Sequence, residues 1–334
     1  MPDATRCALI GDVHLYTLRV AARSLVSKRV LGQTNLWLNR RKRFRHDLLP
    51  DLVARLKEAE PAWVLSPGDV TTSSLTSEFQ AVASALSPLC GSPQTPHESD
   101  PQTVITPGNH DRYTFRASRT RRMESVLPAW LPDHFPHRVP LNGAWTLLAL
   151  DSGVPNVWSS RGRLGPTQMA ALTDAVEACT VGRGLVVLTH YPCVVPAGTP
   201  RAWSHDLAEH REVHETLQRA AGTVIYVHGH VHRPWCLPPA TSTADGRRFG
   251  FTSLNCGSPC MRTKAHPLGQ GVWTLELGDG GSDWRAEHHW LAGEPSTAGK
   301  SGKSGATHAA DQEAGRLSWH TRSFGSDSQD QMHR

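Results

Sequence analysis

Six short apolar runs punctuate the first 232 residues: CALIGDVH (7–14), WVLSPGD (63–69), TVITPGNHD (103–111), WTLLALDS (145–152), LVVLTHYP (185–192) and TVIYVHGHVH (223–232). Runs of about four to eight aliphatic and β-branched residues, closed by turn formers, are the mark of buried strands. Between them, stretches at 47–59, 74–87, 166–179 and 206–221 carry apolar residues at helical spacing. Pro166, after Gly165, suits the first position of its helix, and Pro50 falls in a first turn, where a missing N–H leaves no bond unmade. Strands alternating with helices predict a layered α/β fold.

Beyond residue 233 the pattern changes. RRFGFTSLNC, GVWTLELG and WRAEHHWLA alternate apolar and polar positions between Gly, Pro and Asp turns, which predicts antiparallel strands completing a second sheet. From about Gly293 the chain is rich in Gly, Ser and charge, with few apolar residues to bury, so 293–334 is expected to be a disordered tail behind a folded domain over 1–292. No internal repeat is found.

Composition narrows the class. With 38% hydrophobic and 19% charged residues there is ample material for a large core, which excludes disorder throughout. The seven cysteines are scattered, with no CxxC pair, and fit a reducing compartment. The N-terminus lacks the apolar stretch of a signal peptide, and no segment approaches the length of a transmembrane helix. A cytoplasmic location follows, with a peripheral position at the inner membrane surface as its variant. The net charge of +5 hides an asymmetry: residues 13–46 hold nine Lys or Arg and no acid, which implies an anionic partner for that segment.

The polar residues closing the strands form the candidate chemistry. Asp12 and His14 follow the first run, Asp69 the second, Asn109, His110 and Asp111 the third, His190 the fifth, and His228, His230 and His232 the sixth. Ligands of open α/β sheets bind beyond the carboxyl ends of strands, where such residues converge. A mixed nitrogen and oxygen set without thiolate suits Mn, Fe or Zn in a reactive site rather than a structural zinc. Singly, DVH and GD are weak signals, since a strand-end Asp is more often a turn or cap. PGNHD is stronger, because a turn presenting amide, imidazole and carboxylate together has little structural purpose.

In order, these blocks read D-x-H, G-D, G-N-H-D, H and G-H-x-H, and over residues 7 to about 235 the sequence resembles the calcineurin-like metallophosphoesterases. The resemblance implies a four-layer αββα sandwich, two mixed β-sheets flanked by helices, with a binuclear metal centre at one edge. It implies that Asp12, His14 and His232 hold one ion, Asn109, His190 and His230 the other, and Asp69 bridges both. His110 would then contact the scissile phosphate or leaving-group oxygen, with Asp111 orienting its ring. His228 lies outside the G-H-x-H block and is expected to support the ligands from behind or to be structural. Two divalent ions can clamp a phosphoryl group and activate water, so the implied activity is phosphoester hydrolysis, a diester above all, by attack of bridging hydroxide. A cysteine nucleophile, Cys193 near His190, has no signature around it. Phosphomonoesterase, nuclease and non-catalytic metal-binding scaffold are the alternatives.

Between the first block and the helix at 47, residues 15–46 form a basic insertion in which Trp37 and Phe44 mix with Arg40, Arg41, Lys42, Arg43 and Arg45. The insertion, PGNHD and the Leu164–Leu172 pattern LG-x-x-Q-x-x-x-L are similar to a bacterial subgroup of the same family. A second cluster, Arg112, Arg116, Arg119, Arg121 and Arg122, follows GNHD. Arginine suits bidentate phosphate contact, so Arg40, Arg41, Arg43 and Arg112 are expected to meet an anionic substrate. Residues 28–45 are also expected to touch anionic lipid peripherally, with nucleic acid ranked below.

Overall fold

The computed structural model of the chain describes residues 4–17, 43–156, 159–197, 199, 205–239, 250–293 and 317–326. The strands are β1 (Thr5–Leu9), β2 (Trp63–Ser66), β3 (Gln102–Ile105), β4 (His137–Pro140), β5 (Trp145–Ala149), β6 (Gly184–Leu188), β7 (Thr223–His228), β8 (Trp235–Leu237), β9 (Thr252–Asn255), β10 (Val272–Leu277), β11 (Trp284–Ala292) and β12 (Ser318–Gly325). The helices are α1 (Leu49–Glu58), α2 (Thr76–Cys90), α3 (Phe115–Arg119), α4 (Arg122–Val126), α5 (Gly165–Glu177) and α6 (His210–Leu217).

Alternation along the strands sorts the core into layers. Leu9 of β1 and Leu65 of β2 point inward to meet Val186, Val227 and Leu275 between the two sheets. Their neighbours Ala8 and Val64 point outward and are covered by α1 and α2. On the other sheet Val187 and Tyr226 face out, under α5 and α6. Because both faces of these strands are buried, they read as continuous apolar runs. In α1 the buried residues Leu49, Leu52, Val53 and Leu56 recur at helical spacing, and Pro50 sits in the first turn as expected. The result is the four-layer αββα sandwich.

One sheet runs β12-β11-β10-β1-β2-β3 and the other β4-β5-β6-β7-β9-β8. In the first, β1, β2 and β3 are parallel neighbours. In the second, β5, β6, β7 and β9 are also parallel. Parallel pairing gathers the carboxyl ends of the motif-bearing strands, which is what positions the site.

Two expectations are corrected. The strands after residue 233 do not all complete the second sheet: β10 and β11 extend the first one, β10 lying antiparallel to β1 with Ala8 opposite Thr274. Only β8 and β9 join the second, and β9 does so parallel to β7. Alternation identifies a strand but carries no information about its partner. The tail is also not uniformly without structure, since Ser318–Gly325 pairs with Arg285–Ala292 of β11, Trp290 lying opposite His320. Among the described residues no helix is long and apolar enough to cross a membrane.

Candidate metal centre

Each motif residue leaves its strand through a tight turn, and the backbone there is unusual. Eight non-glycine residues have positive φ among those described, and five of them are Asp12, His14, Asp69, His230 and His232. Asp and His tolerate this left-handed region better than most side chains, yet each such residue costs about 1–3 kcal/mol. Concentrated strain of this kind marks a site that the surrounding structure holds for a purpose. The motif glycines answer a second need. A Cβ at Gly108 would sit 2.1 Å from Asp69 Oδ1, and one at Gly229 would sit 2.4 Å from Asp12 Oδ2.

The turns bring the donors of both sheets together. His14 Nε2 lies 2.8 Å from His232 Nε2, 3.7 Å from Asp69 Oδ2 and 3.9 Å from Asp12 Oδ1. His232 Nε2 is 3.5 Å from the same Asp12 oxygen. On the other side of Asp69, His190 Nε2 is 3.3 Å from Oδ2, 3.2 Å from Asn109 Oδ1 and 3.2 Å from His230 Nδ1. Two groups result, Asp12, His14, Asp69 and His232, and Asp69, His190 and His230, each with its donor atoms within 4.8 Å of one another. Asp69 belongs to both.

These spacings fit divalent metal. Donors at about 2.0–2.2 Å from an ion lie roughly 3–3.5 Å apart. Asp12 Oδ1 is fully buried and has no hydrogen-bond partner among the described residues, an arrangement that costs free energy unless a cation completes it.

The far nitrogens of the imidazoles are pinned by carbonyls. His190 Nδ1–H donates to Pro67 O at 2.8 Å, which turns Nε2 to the cluster. His230 Nε2–H donates to His205 O at 2.9 Å, which turns Nδ1 inward. Such outer bonds fix the tautomer and orientation of a metal-binding His. The electrostatics follow from burial and proximity. Burial pushes the Asp12 carboxyl well above its usual range, and the Asp69 charge adds to this. Burial would raise Asp69 too, but His190, His110 and His14 around it hold it well below. Burial lowers the His190 imidazole, and Asp69 and Asp12 more than reverse this, lifting it to about 9. Protons held at Asp12 and His190 are the ones cations would displace.

His110 stands beside this cluster, its ring 4.8 Å from that of His14 and edge to face. Its orientation departs from expectation. The ring nitrogen Nδ1–H donates to the Thr72 carbonyl at 2.6 Å. Asp111, fully buried, accepts instead from the backbone N–H groups of Thr71 at 3.0 Å, Gly108 at 3.1 Å and Val70 at 3.3 Å, and from the Thr71 hydroxyl at 2.9 Å. Asp111 therefore ties the two loops together, and it holds the Thr71–Thr72 segment whose Thr72 carbonyl meets the His110 ring.

His228 is separate. It is fully buried, accepts from Asn255 Nδ2 at 3.0 Å and donates from Nε2 to Ser253 Oγ at 2.9 Å. Arg112 is corrected as a substrate contact: only 7% exposed, it is held by Glu124 at 2.7 Å and Asp151 at 3.2 Å. Arg40 and Arg41, with most of the basic insertion, lie outside the described residues. Arg43 is exposed where the insertion returns, and the next residue, Phe44, packs edge-on 5.7 Å from His14. Thr72, His205 and Tyr191 escaped the sequence reading. The first two act through backbone carbonyls, which have no side-chain signature. Tyr191, whose ring lies 4.3 Å from that of His230, directly follows His190 and its position was the available clue.

A family model described as calcineurin-like phosphoesterase matches residues 5–234. The chain belongs to the calcineurin-like phosphoesterase family. Solved structures of other proteins resemble it in three dimensions. A dimetal phosphatase from Danio rerio is 13% identical, with 84% of this chain and 95% of that one covered, at a TM-score of 0.53. A PhoD structure is 9% identical over 97% and 70%, at 0.57. Purple acid phosphatase PPD1 from yellow lupin seeds (Lupinus luteus) is 12% identical over 86% and 51%, at 0.54. At these identities the likeness is one of fold. No curated protein matches this calcineurin-like phosphoesterase by sequence.

Proposed function

We propose that the protein is a binuclear metal-dependent phosphoesterase acting on a phosphodiester. The observation that carries this reading is Asp69, an ionised carboxylate common to two donor groups that otherwise share no residue. An anionic carboxylate can serve two cations, whereas a neutral imidazole has one lone pair to offer. Asp12, His14 and His232 would hold one ion, and His190, His230 and the Asn109 amide oxygen the other. Two divalent cations so placed, Mn, Fe or Zn, polarise a phosphoryl oxygen and activate water.

The chain's own residues do the rest. His110, aimed by the Thr72 carbonyl, places Nε2 beside the His14 side of the cluster. In its protonated form it would deliver a proton to the departing alkoxide, which matters most where the leaving alcohol is only weakly acidic. Asp111 is a positioning residue, holding the loop that carries Thr72. Arg40, Arg41 and Arg43 are proposed to line the mouth toward the anionic remainder of the substrate, and residues 28–45 to touch anionic lipid. The buried free state of all seven cysteines is in keeping with a cytoplasmic setting.

Turnover of bis(p-nitrophenyl) phosphate against p-nitrophenyl phosphate, with Mn2+ supplied, tests the reading. The diester is expected to give the higher kcat/KM. For a diester with an unactivated alkyl leaving group, His110→Ala should lower kcat by about 10²–10⁴-fold, and by less for bis(p-nitrophenyl) phosphate, while metal analysis still finds about two ions per chain. A preference for the monoester removes the diesterase assignment, and activity indifferent to chelator removes the metal mechanism.

A further inference from the structure

Five of the six apolar runs end in a candidate donor, and the fourth, WTLLALDS, does not. Its last residues, Asp151 and Ser152, and the Gly153 that follows belong to neither donor group. Asp151 is nevertheless held firmly. Its N–H donates to Gln168 Oε1 on α5 at 2.8 Å, and its carbonyl accepts from Gln168 Nε2 at 2.7 Å. Gln168 Nε2 also donates to the Leu164 carbonyl at 2.9 Å, which accounts for the glutamine of the LG-x-x-Q-x-x-x-L pattern. The Gly153 N–H donates to Asp151 Oδ1 at 2.9 Å. Oδ2 of this anchored carboxylate accepts from Arg112 Nη2 at 3.2 Å.

That bond crosses the seam between the sheets, since β5 belongs to the second and Arg112 follows the GNHD block of the first. The Arg112 N–H donates to the Gly108 carbonyl at 3.1 Å, so the guanidinium is tied to the turn that carries Asn109 and His110. Gly153 presses on the same turn: a Cβ there would lie 2.8 Å from the Pro107 oxygen and 2.9 Å from that of Gly108. In the other direction, Ser152 Oγ accepts from the Thr189 hydroxyl at 2.9 Å, and Thr189 directly precedes His190. Residues 151–153 therefore touch the chain neighbours of both Asn109 and His190, whose donor atoms stand 3.2 Å apart. Apolar packing between the sheets is non-directional, whereas a functional site needs its groups held to within about 0.5 Å. Charge-assisted and hydroxyl bonds at the strand ends supply that direction.

We infer that Asp151 is a positioning residue for the metal centre, and that the brace formed by residues 151–153 sets Asn109 against His190 and so governs the ion those two would hold. This inference rests on the binuclear reading above. The other donor group has supports of its own: Asp12 Oδ2 accepts from the His230 N–H at 2.9 Å, and the Asp12 carbonyl accepts from Ser258 Oγ at 2.6 Å. Loss of the brace should therefore divide the two ions rather than weaken both.

Calorimetric titration of the full chain, stripped of metal by chelator, with Mn2+ reads this without turnover. Wild type should bind two ions. Asp151→Asn keeps an acceptor for Gly153 and removes the charge facing Arg112, and it should weaken one ion about 10–100-fold and leave the other unchanged. Combined with His190→Ala it should add no further loss, whereas combined with His232→Ala it should weaken the ion that remains. Gly153→Ala displaces the same turn by bulk instead of charge and serves if the Asp151 variant folds poorly; it should give the same division. A purely structural role would lower Tm and keep the ratio of the two affinities at its wild-type value in both variants. That result refutes the brace, while two ions in wild type leave the binuclear reading standing. If wild type binds fewer than two ions, the binuclear reading fails and the brace falls with it.

Discussion

His228 and His230 are two residues apart and chemically identical, yet the fold assigns them opposite duties. His230 leaves the strand with a φ of 71° and points Nδ1 into the cluster. His228 stays in β7, enclosed between Asn255 and Ser253. Burial lowers its imidazole to about 3, so the native protein keeps it neutral where the unfolded chain, at an ordinary value near 6.5, takes up a proton. Between those limits the unfolded state binds more protons. Stability therefore falls as pH drops below about 6.5, by up to about 1.4 kcal/mol per unit from this residue. His228→Gln is expected to flatten the acid side of the Tm–pH curve relative to wild type and to retain about two metal ions, whereas His230→Ala should lose metal. Equal metal loss in both variants would refute the division. The ordered blocks made the donor set legible in sequence. The Thr72 and His205 carbonyls were not, because they depend on where the backbone is brought by tertiary structure.

The motif strands and four main helices were visible because each is buried on a pattern its period dictates, as Leu49, Leu52, Val53 and Leu56 show for α1. Partnership was less visible. GVWTLELG and WRAEHHWLA alternate as edge-sheet strands do, and nothing local says that β10 must lie against β1. The strand β12 was missed for a different reason: most of its side chains are exposed and the sequence around it is polar, so its order comes from pairing with β11. Its anchor is Phe324, packed against the inter-sheet core and 5.6 Å from Trp273. Phe324→Ala should cost about 2 kcal/mol, less than a fully buried Phe, and lower Tm by roughly 3–4 °C. Trp319→Ala, which loses the stacking of Arg55 at 5.8 Å on an exposed ring, should cost under about 1 kcal/mol. A melting curve unchanged by Phe324→Ala would show β12 to be only loosely laid on the sheet.

Across the whole molecule, the three core layers enclose every thiol. All seven cysteines are free and buried, and burial alone lifts Cys7 to about 12. Since the thiolate is the reactive form, native protein should show less than about one group reactive to Ellman's reagent and the denatured protein all seven. Rapid labelling of several thiols in native conditions would mean that the sandwich opens more readily than its packing implies.

The centre itself spans the seam of that sandwich. Asp12, His14 and Asp69 come from the first sheet, and His190, His230 and His232 from the second. Neither donor group is complete in either sheet alone, and each takes its last member from the turn after β7. During synthesis the ribosome must therefore release about two thirds of the chain before either cation can be fully held. Loading belongs at the end of folding, and partial products of translation carry only fragments of a chelator.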